Sequence, residues 1–125
     1  MGGTAPAIIK RPRKKRKLYV EGNRVVFRKR LVHSFELPPE IAEWVKKNEG
    51  VIDWLVYDTP LRTYLRHPHS VRTLVLLLYA RANDIPIAQF SRRIGVSHEQ
   101  LYRLERLLNK LELKEFVYSL LKPSK

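Results

Sequence analysis

Residues 87–108, IAQFSRRIGVSHEQLYRLERLL, carry two short apolar stripes separated by a glycine. Ile87, Phe90 and Ile94 recur at helical spacing before the glycine, and Leu101, Leu104 and Leu108 do so after it. Gly95 stands where a chain reversing between two helices often needs a positive φ. Ser91, four residues earlier, is small and lets the helices approach closely. Ser97 is a good N-cap, and Gln100 completes a Ser-x-x-Gln capping box. The stretch therefore predicts a helix, a tight turn and a second helix.

The same residues resemble the DNA-binding helix-turn-helix family. The shared pattern is a small residue, three further residues, Gly95-Val96-Ser97, and then apolar residues at Leu101 and Leu104. Ser91 occupies the place where the family most often has Ala. The resemblance implies a recognition helix that presents its first turns to base edges. Carried over position by position, its outward residues are Ser97, His98, Glu99, Tyr102, Arg103 and Arg106. Arg103 is the candidate for a bidentate contact with guanine. His98 and Glu99 are candidates for reading bases, although Glu99 also suits the positive end of a helix. Gln100 is expected to be spent on its cap. Gln89, Arg92 and Arg93 on the preceding helix are placed for phosphates, with a merely solvated face as the plain alternative. A helical hairpin in an ordinary core would share this periodicity but would leave the basic charge around it unexplained.

That charge is large. The 125 residues carry 25 Lys and Arg against 12 Asp and Glu, a formal net charge of +13. Such an excess points to a polyanionic partner, nucleic acid first and an anionic membrane second. It is also uneven. Residues 1–34 hold eleven Lys or Arg and one acid, whereas residues 35–125 hold fourteen and eleven. The run at 10–17, KRPRKKRK, contains Lys10, Arg11, Arg13, Lys14, Lys15, Arg16 and Lys17. Like charges repel and Pro12 blocks a helix, so residues 1–17 are expected to be a disordered basic arm lying along phosphates or in a minor groove. A nuclear localisation signal and a solubilising tail are the other readings of this run.

Residues 18–125 are expected to form one helical domain. Leu18-Tyr19-Val20 and Val25-Val26-Phe27 flank a Gly22-Asn23 turn, which predicts a hairpin pairing Val20 with Val25, Leu18 with Phe27 and Glu21 with Arg24. The second strand is read as continuing through residues 28–32, within β structure spanning 18–37, with Leu31, His33, Phe35 and Leu37 alternating on one face. Arg28, Lys29 and Arg30 are candidates for phosphate contact or for guarding a strand edge. Pro38-Pro39 opens a helix over 39–47 that buries Ile41, Ala42, Trp44 and Val45, and Asn48-Glu49-Gly50 stops it. The run SFELPPEIAEWVKK is similar to the strand and first helix of ribbon-helix-helix proteins. That family needs a second helix directly after the turn, and Asp58-Thr59-Pro60 interrupts it, so a structural corner is the preferred reading.

A short apolar helix or turn is expected over 51–57. Thr59 and Pro60 then start a helix over 61–66, and His67-Pro68-His69 breaks it. Ser70 is expected to cap a helix over 71–82 whose VRTLVLLLYA is apolar almost all round, the mark of a buried central helix. The expected fold is therefore mainly α: a tri-helical helix-turn-helix core over 71–108, with an N-terminal β-hairpin and extra helices. Past Leu111 the apolar phase shifts by about 200° to Leu113, so the helix is expected to break near 109–112. The last segment, with Leu113, Phe116, Val117, Leu120 and Leu121, either closes the core or forms a homodimer interface.

Nothing in the chain argues for an enzyme or a cofactor. There is no Cys, so no disulfide and no thiolate metal site. His67 and His69 lack a third ligand nearby, and Pro68 holds them apart. His69, Arg72 and the later tyrosines are similar to fragments of the tyrosine recombinase site, but the chain is too short for that catalytic domain. No apolar run is long enough to cross a bilayer and no signal peptide is visible, so a cytoplasmic, nucleoid, nuclear or viral setting is expected. The leading expectation is a sequence-specific double-stranded DNA-binding protein that regulates transcription. One rival is an architectural or plasmid-partition protein, because GVSHEQLYRLERLLNKLEL also resembles the helix-turn-helix of ParB-type partition proteins. The other is an RNA- or ribosome-bound basic protein.

Overall fold

The computed structural model describes residues 16–124. Three strands, β1 (Leu18–Glu21), β2 (Arg24–Arg28) and β3 (Val32–Glu36), form one antiparallel sheet in the order β1-β2-β3. Six α-helices follow: α1 (Pro39–Lys47), α2 (Glu49–Tyr57), α3 (Pro68–Ala82), α4 (Ile87–Ile94), α5 (His98–Lys110) and α6 (Lys114–Leu120). A 3-10 turn, Pro60–Tyr64, links α2 to α3.

The first hairpin has the expected register, with Leu18 opposite Phe27, Val20 opposite Val25 and Glu21 opposite Arg24. Gly22 takes φ +62 in its turn. The second strand does not run on through residue 32. It ends at Arg28, the chain reverses over Lys29-Arg30-Leu31, and Val32 pairs back onto Arg28. The Lys29 N–H donates to the Leu31 carbonyl at 2.9 Å and closes this second hairpin. Leu31 is consequently exposed at the tip, while Leu37 is buried. Arg28, Lys29 and Arg30 offer no apolar alternation that would mark the reversal.

The outer edge of β1 is sealed by α2. Glu49, Asp53 and Tyr57 lie four residues apart and so share one helix face. Glu49 accepts the Val20 N–H at 2.8 Å and Asp53 accepts the Leu18 N–H at 2.9 Å, both from β1, while Tyr57 accepts the Arg28 N–H at the end of β2 at 3.0 Å. The two β1 donors that an edge strand would otherwise leave open are thus occupied. This stripe requires α2 to begin at Glu49. The expected stop at Asn48-Glu49-Gly50 shrinks to Asn48 alone, and Gly50 is helical.

Asn48 is almost fully buried and ties the end of α1 to the segment after α6. Its Nδ2 donates to the Trp44 carbonyl at 2.9 Å, and its Oδ1 accepts the Lys122 N–H at 2.9 Å. The Trp44 indole also donates to the Lys122 carbonyl. Asn83 repeats the device at the end of α3, donating to the Tyr79 carbonyl and accepting the Ser124 N–H. The segment after α6 is thereby strapped across α1 and α3.

Helix α3 is the centre of the core, with Val71 and every residue from Thr73 to Ala80 buried. Trp44 meets Tyr79 edge-on at 5.5 Å between ring centroids, and Tyr79 meets Phe90 at 5.8 Å. The helix starts at Pro68 rather than Val71, with His67 at the N-cap position and Ser70 inside the first turn. Proline supplies no N–H and suits a first helical position, so Pro68 and His69 belong to α3, and the expected break before it falls at residues 65–67. The preceding segment is a 3-10 turn, begun as expected by Thr59, whose side chain accepts the Leu61 N–H.

Helices α3, α4 and α5 end alike. Each is followed by a left-handed residue, Asp84 (φ 56), Gly95 (φ 82) and Glu112 (φ 60). In each case the next N–H returns to a carbonyl five residues back: Ile85 to Ala80, Val96 to Ser91 and Leu113 to Leu108. The expected break between α5 and α6 falls at Glu112. Helix α6 closes the core through Val117, with Leu121 buried just beyond it, while Phe116 and Leu120 stay exposed. Only part of its apolar set is therefore used within the chain. Among the described residues no helix is long and apolar enough to cross a membrane.

Candidate nucleic-acid interface

Helices α4 and α5 each contact α3 and each other. Phe90 and Leu101 are fully buried at this junction, and Ser91 is buried between the helices. Ile94, Val96 and Leu104, expected to be buried, pack against the core but are only partly buried. Ile94 and Val96 flank the turn at Gly95. Ser97 holds the N-cap position of α5, but its side chain makes no cap hydrogen bond. The capping box is not formed, and Gln100 is exposed.

With its apolar side turned inward, α5 exposes Ser97, His98, Glu99, Tyr102, Arg103 and Arg106. Five of these, from His98 to Arg106, line one concavity of about 380 Å³. The His98 ring meets Tyr102 edge-on at 6.1 Å. Among the described residues neither Arg103 nor Arg106 has a carboxylate within ion-pair distance. Glu105, beside them in sequence, is drawn to the other side. It accepts Arg81 Nε at 2.7 Å, Arg81 Nη2 at 2.9 Å and the Tyr118 hydroxyl at 2.8 Å. The Arg81 hydrogen bonds hold the Glu105 carboxyl below its ordinary range. Burial, then the bond to Glu105, pushes the Tyr118 phenol well up. This triad pins α5 to α3 and α6 and removes one negative charge from the outer face.

On α4, Gln89, Arg92 and Arg93 are exposed. Arg93 lies 3.7 Å from Glu40 of α1 and over the Phe90 ring at 6.0 Å. An ion pair this exposed contributes little, so Arg93 remains available to an anion.

The basic N-terminus divides in two. Lys10, Arg11, Arg13, Lys14 and Lys15 lie outside the described residues. Arg16 and Lys17, expected to belong to a disordered arm, are docked instead. Arg16 Nη1 pairs with Glu49 at 3.1 Å, and the Lys17 carbonyl accepts the Arg28 N–H at 3.1 Å. The α2 stripe that seals β1 therefore also captures the residues just before it.

A second cationic concavity, of about 390 Å³, opens beside the sheet. Lys17, Arg28, Lys29 and Arg62 line it together with Tyr57 and Thr63. Lys17 and Lys29 place their ammonium groups 5.3 and 5.8 Å from the Tyr57 ring centroid. The Tyr57 hydroxyl donates to the Arg28 carbonyl at 2.6 Å and fixes the ring. Burial lowers the Lys29 pKa from its ordinary value and raises that of Tyr57. Arg30, by contrast, is exposed at the hairpin tip. Sequence reasoning named Arg28 and Lys29 but missed Arg62 and Tyr57. The signal available for Tyr57 was its place four and eight residues after Asp53 and Glu49.

His67 and His69 stack at 5.5 Å at the start of α3, and among the described residues no group of three or more metal-ligating side chains gathers. Comparison of the chain with protein-family models, with curated proteins and with solved structures finds no match.

Proposed function

We propose that the chain binds double-stranded DNA through a helix-turn-helix made by α4 and α5 against α3, with α5 in the major groove, and that it acts as a sequence-specific transcriptional regulator. The observation that carries this reading is the outer face of α5. Arg103 and Arg106 stand there exposed and without a carboxylate partner among the described residues, while Glu105 is withdrawn by Arg81 and Tyr118. The left-handed Gly95 and the buried Phe90 and Leu101 set the angle at which that face is presented. Arg103 offers two parallel donors to guanine N7 and O6, His98 and Glu99 lie one turn earlier, and Gln89, Arg92 and Arg93 approach phosphates.

The test is selection of a preferred site from random duplexes, followed by titration of variants at one salt concentration. Arg103→Ala should cost about 1–3 kcal/mol on the selected site and relax the choice at one base pair. Arg92→Ala should weaken all duplexes about equally. If no preferred site emerges, or both variants lose affinity uniformly, sequence-specific regulation is wrong and a coating or architectural role replaces it.

A further inference from the structure

We propose that the cavity around Tyr57 is a second nucleic-acid site, holding one backbone phosphate of the same duplex that α5 engages. This rests on the reading of α5 given above and extends it to a part of the fold outside the helix-turn-helix.

The cavity gathers four cationic side chains from three separate segments: Lys17 ahead of β1, Arg28 and Lys29 at the β2 end, and Arg62 on the 3-10 turn. Among the described residues none of the four has a carboxylate within ion-pair distance. Two of the ammonium groups share a single aromatic ring. Cation–π attraction offsets part of their mutual repulsion, and an anion seated between them would offset the rest. Lys29 is also partly withdrawn from water, so its charge is less well solvated than that of a surface lysine. The ring, the turn and the strand end are held by hydrogen bonds, so the backbone that bears these cations is set before any ligand arrives.

Thr63 lines this cavity, and the next residue in the chain, Tyr64, lines a separate groove of about 220 Å³. That groove also contains His69, Ser70, Gln100 and Arg103. Arg103 in turn borders the concavity on the outer face of α5. Four cations in one cavity, without carboxylate partners among the described residues, suit a polyanion such as a nucleic-acid backbone.

The experiment measures binding of a random-sequence duplex across a salt series for the wild-type chain, Arg62→Gln and the Lys29→Gln/Arg62→Gln pair. Inorganic phosphate, followed by amide NMR shifts, is the second probe. Arg62 is exposed, so the single variant tests the site even if Lys29→Gln perturbs folding. The expected result is a several-fold loss of affinity on every duplex and a log–log salt slope smaller by about 0.9 for each phosphate contact removed. Base preference should not change. Wild-type binding with an unaltered slope in both variants overturns the phosphate site and leaves the α5 reading intact. Inorganic phosphate binding as tightly as the duplex overturns it in favour of a free-phosphate site. Failure of the wild-type chain to bind duplex at all overturns the α5 reading on which the proposal rests.

Discussion

Replacing Glu105 by Gln tests how α5 is held in place. The side chain accepts two charge-assisted hydrogen bonds from Arg81, at 2.7 and 2.9 Å, and one from Tyr118 at 2.8 Å. Glutamine keeps one carbonyl acceptor but turns an amide donor toward a guanidinium that can only donate. Losing a hydrogen bond to a charged group costs about 1.5–3 kcal/mol. The Arg81 side chain is 32% exposed and Glu105 14%, so water recovers part of that loss. A net cost of about 1–2.5 kcal/mol follows, equivalent to about 4–10 °C in melting temperature for a domain of this size. The cost should depend on pH. The Glu105 pKa is lowered from 4.5, so in acid the unfolded chain takes up the proton first. The stabilisation is therefore complete above 4.5 and is lost as pH falls through the folded value. The Tyr118 pKa is raised from 10.0, so its share is complete below 10.0 and is lost as pH rises through the folded value. Urea unfolding of both proteins at about pH 7 and about pH 3 measures the difference. A difference unchanged between the two pH values would refute the ion pair as its source. So would no difference at neutral pH.

Two further outcomes are expected. Gly95→Ala should lower stability by about 1 kcal/mol, seen as a lower urea midpoint at unchanged slope. The cause is backbone conformation at φ +82 and not a clash, since nothing lies within 4 Å of an added Cβ. Deleting residues 1–15 removes five cations, at positions 10, 11, 13, 14 and 15, while sparing the docked Arg16 and Lys17. The salt slope of duplex binding should shrink by up to about 0.9 per lost phosphate contact with sequence preference intact, and an unchanged slope would show that those residues do not touch DNA.

Local signals in the chain were enough to locate the first hairpin, the central helix, the turn at Gly95 and the outward residues of α5. Each depends on near neighbours. Gly22-Asn23 selects a two-residue turn, VRTLVLLLYA leaves no polar face, and Gly95 permits a conformation costly for other residues. The break after α5 was legible for a similar reason, because the leucine phase shifts within three residues. Its left-handed residue was not legible, since Glu112 adopts that conformation without a compositional cue, whereas Asp84 is of a residue type that favours it. What only the tertiary structure decided are pairings between distant segments. Asn48 reads locally as a helix stop, yet its buried amide holds Lys122. Glu105 reads as one more charge on a basic helix, yet Arg81 and Tyr118 turn it inward. Arg62 and Tyr57 join Lys17 and Lys29 only because the α2 stripe docks on the edge of β1. Hydrogen bonds and ion pairs act over a few ångströms, and groups far apart in sequence come within that range only once the apolar core has set the distances between helices and sheet.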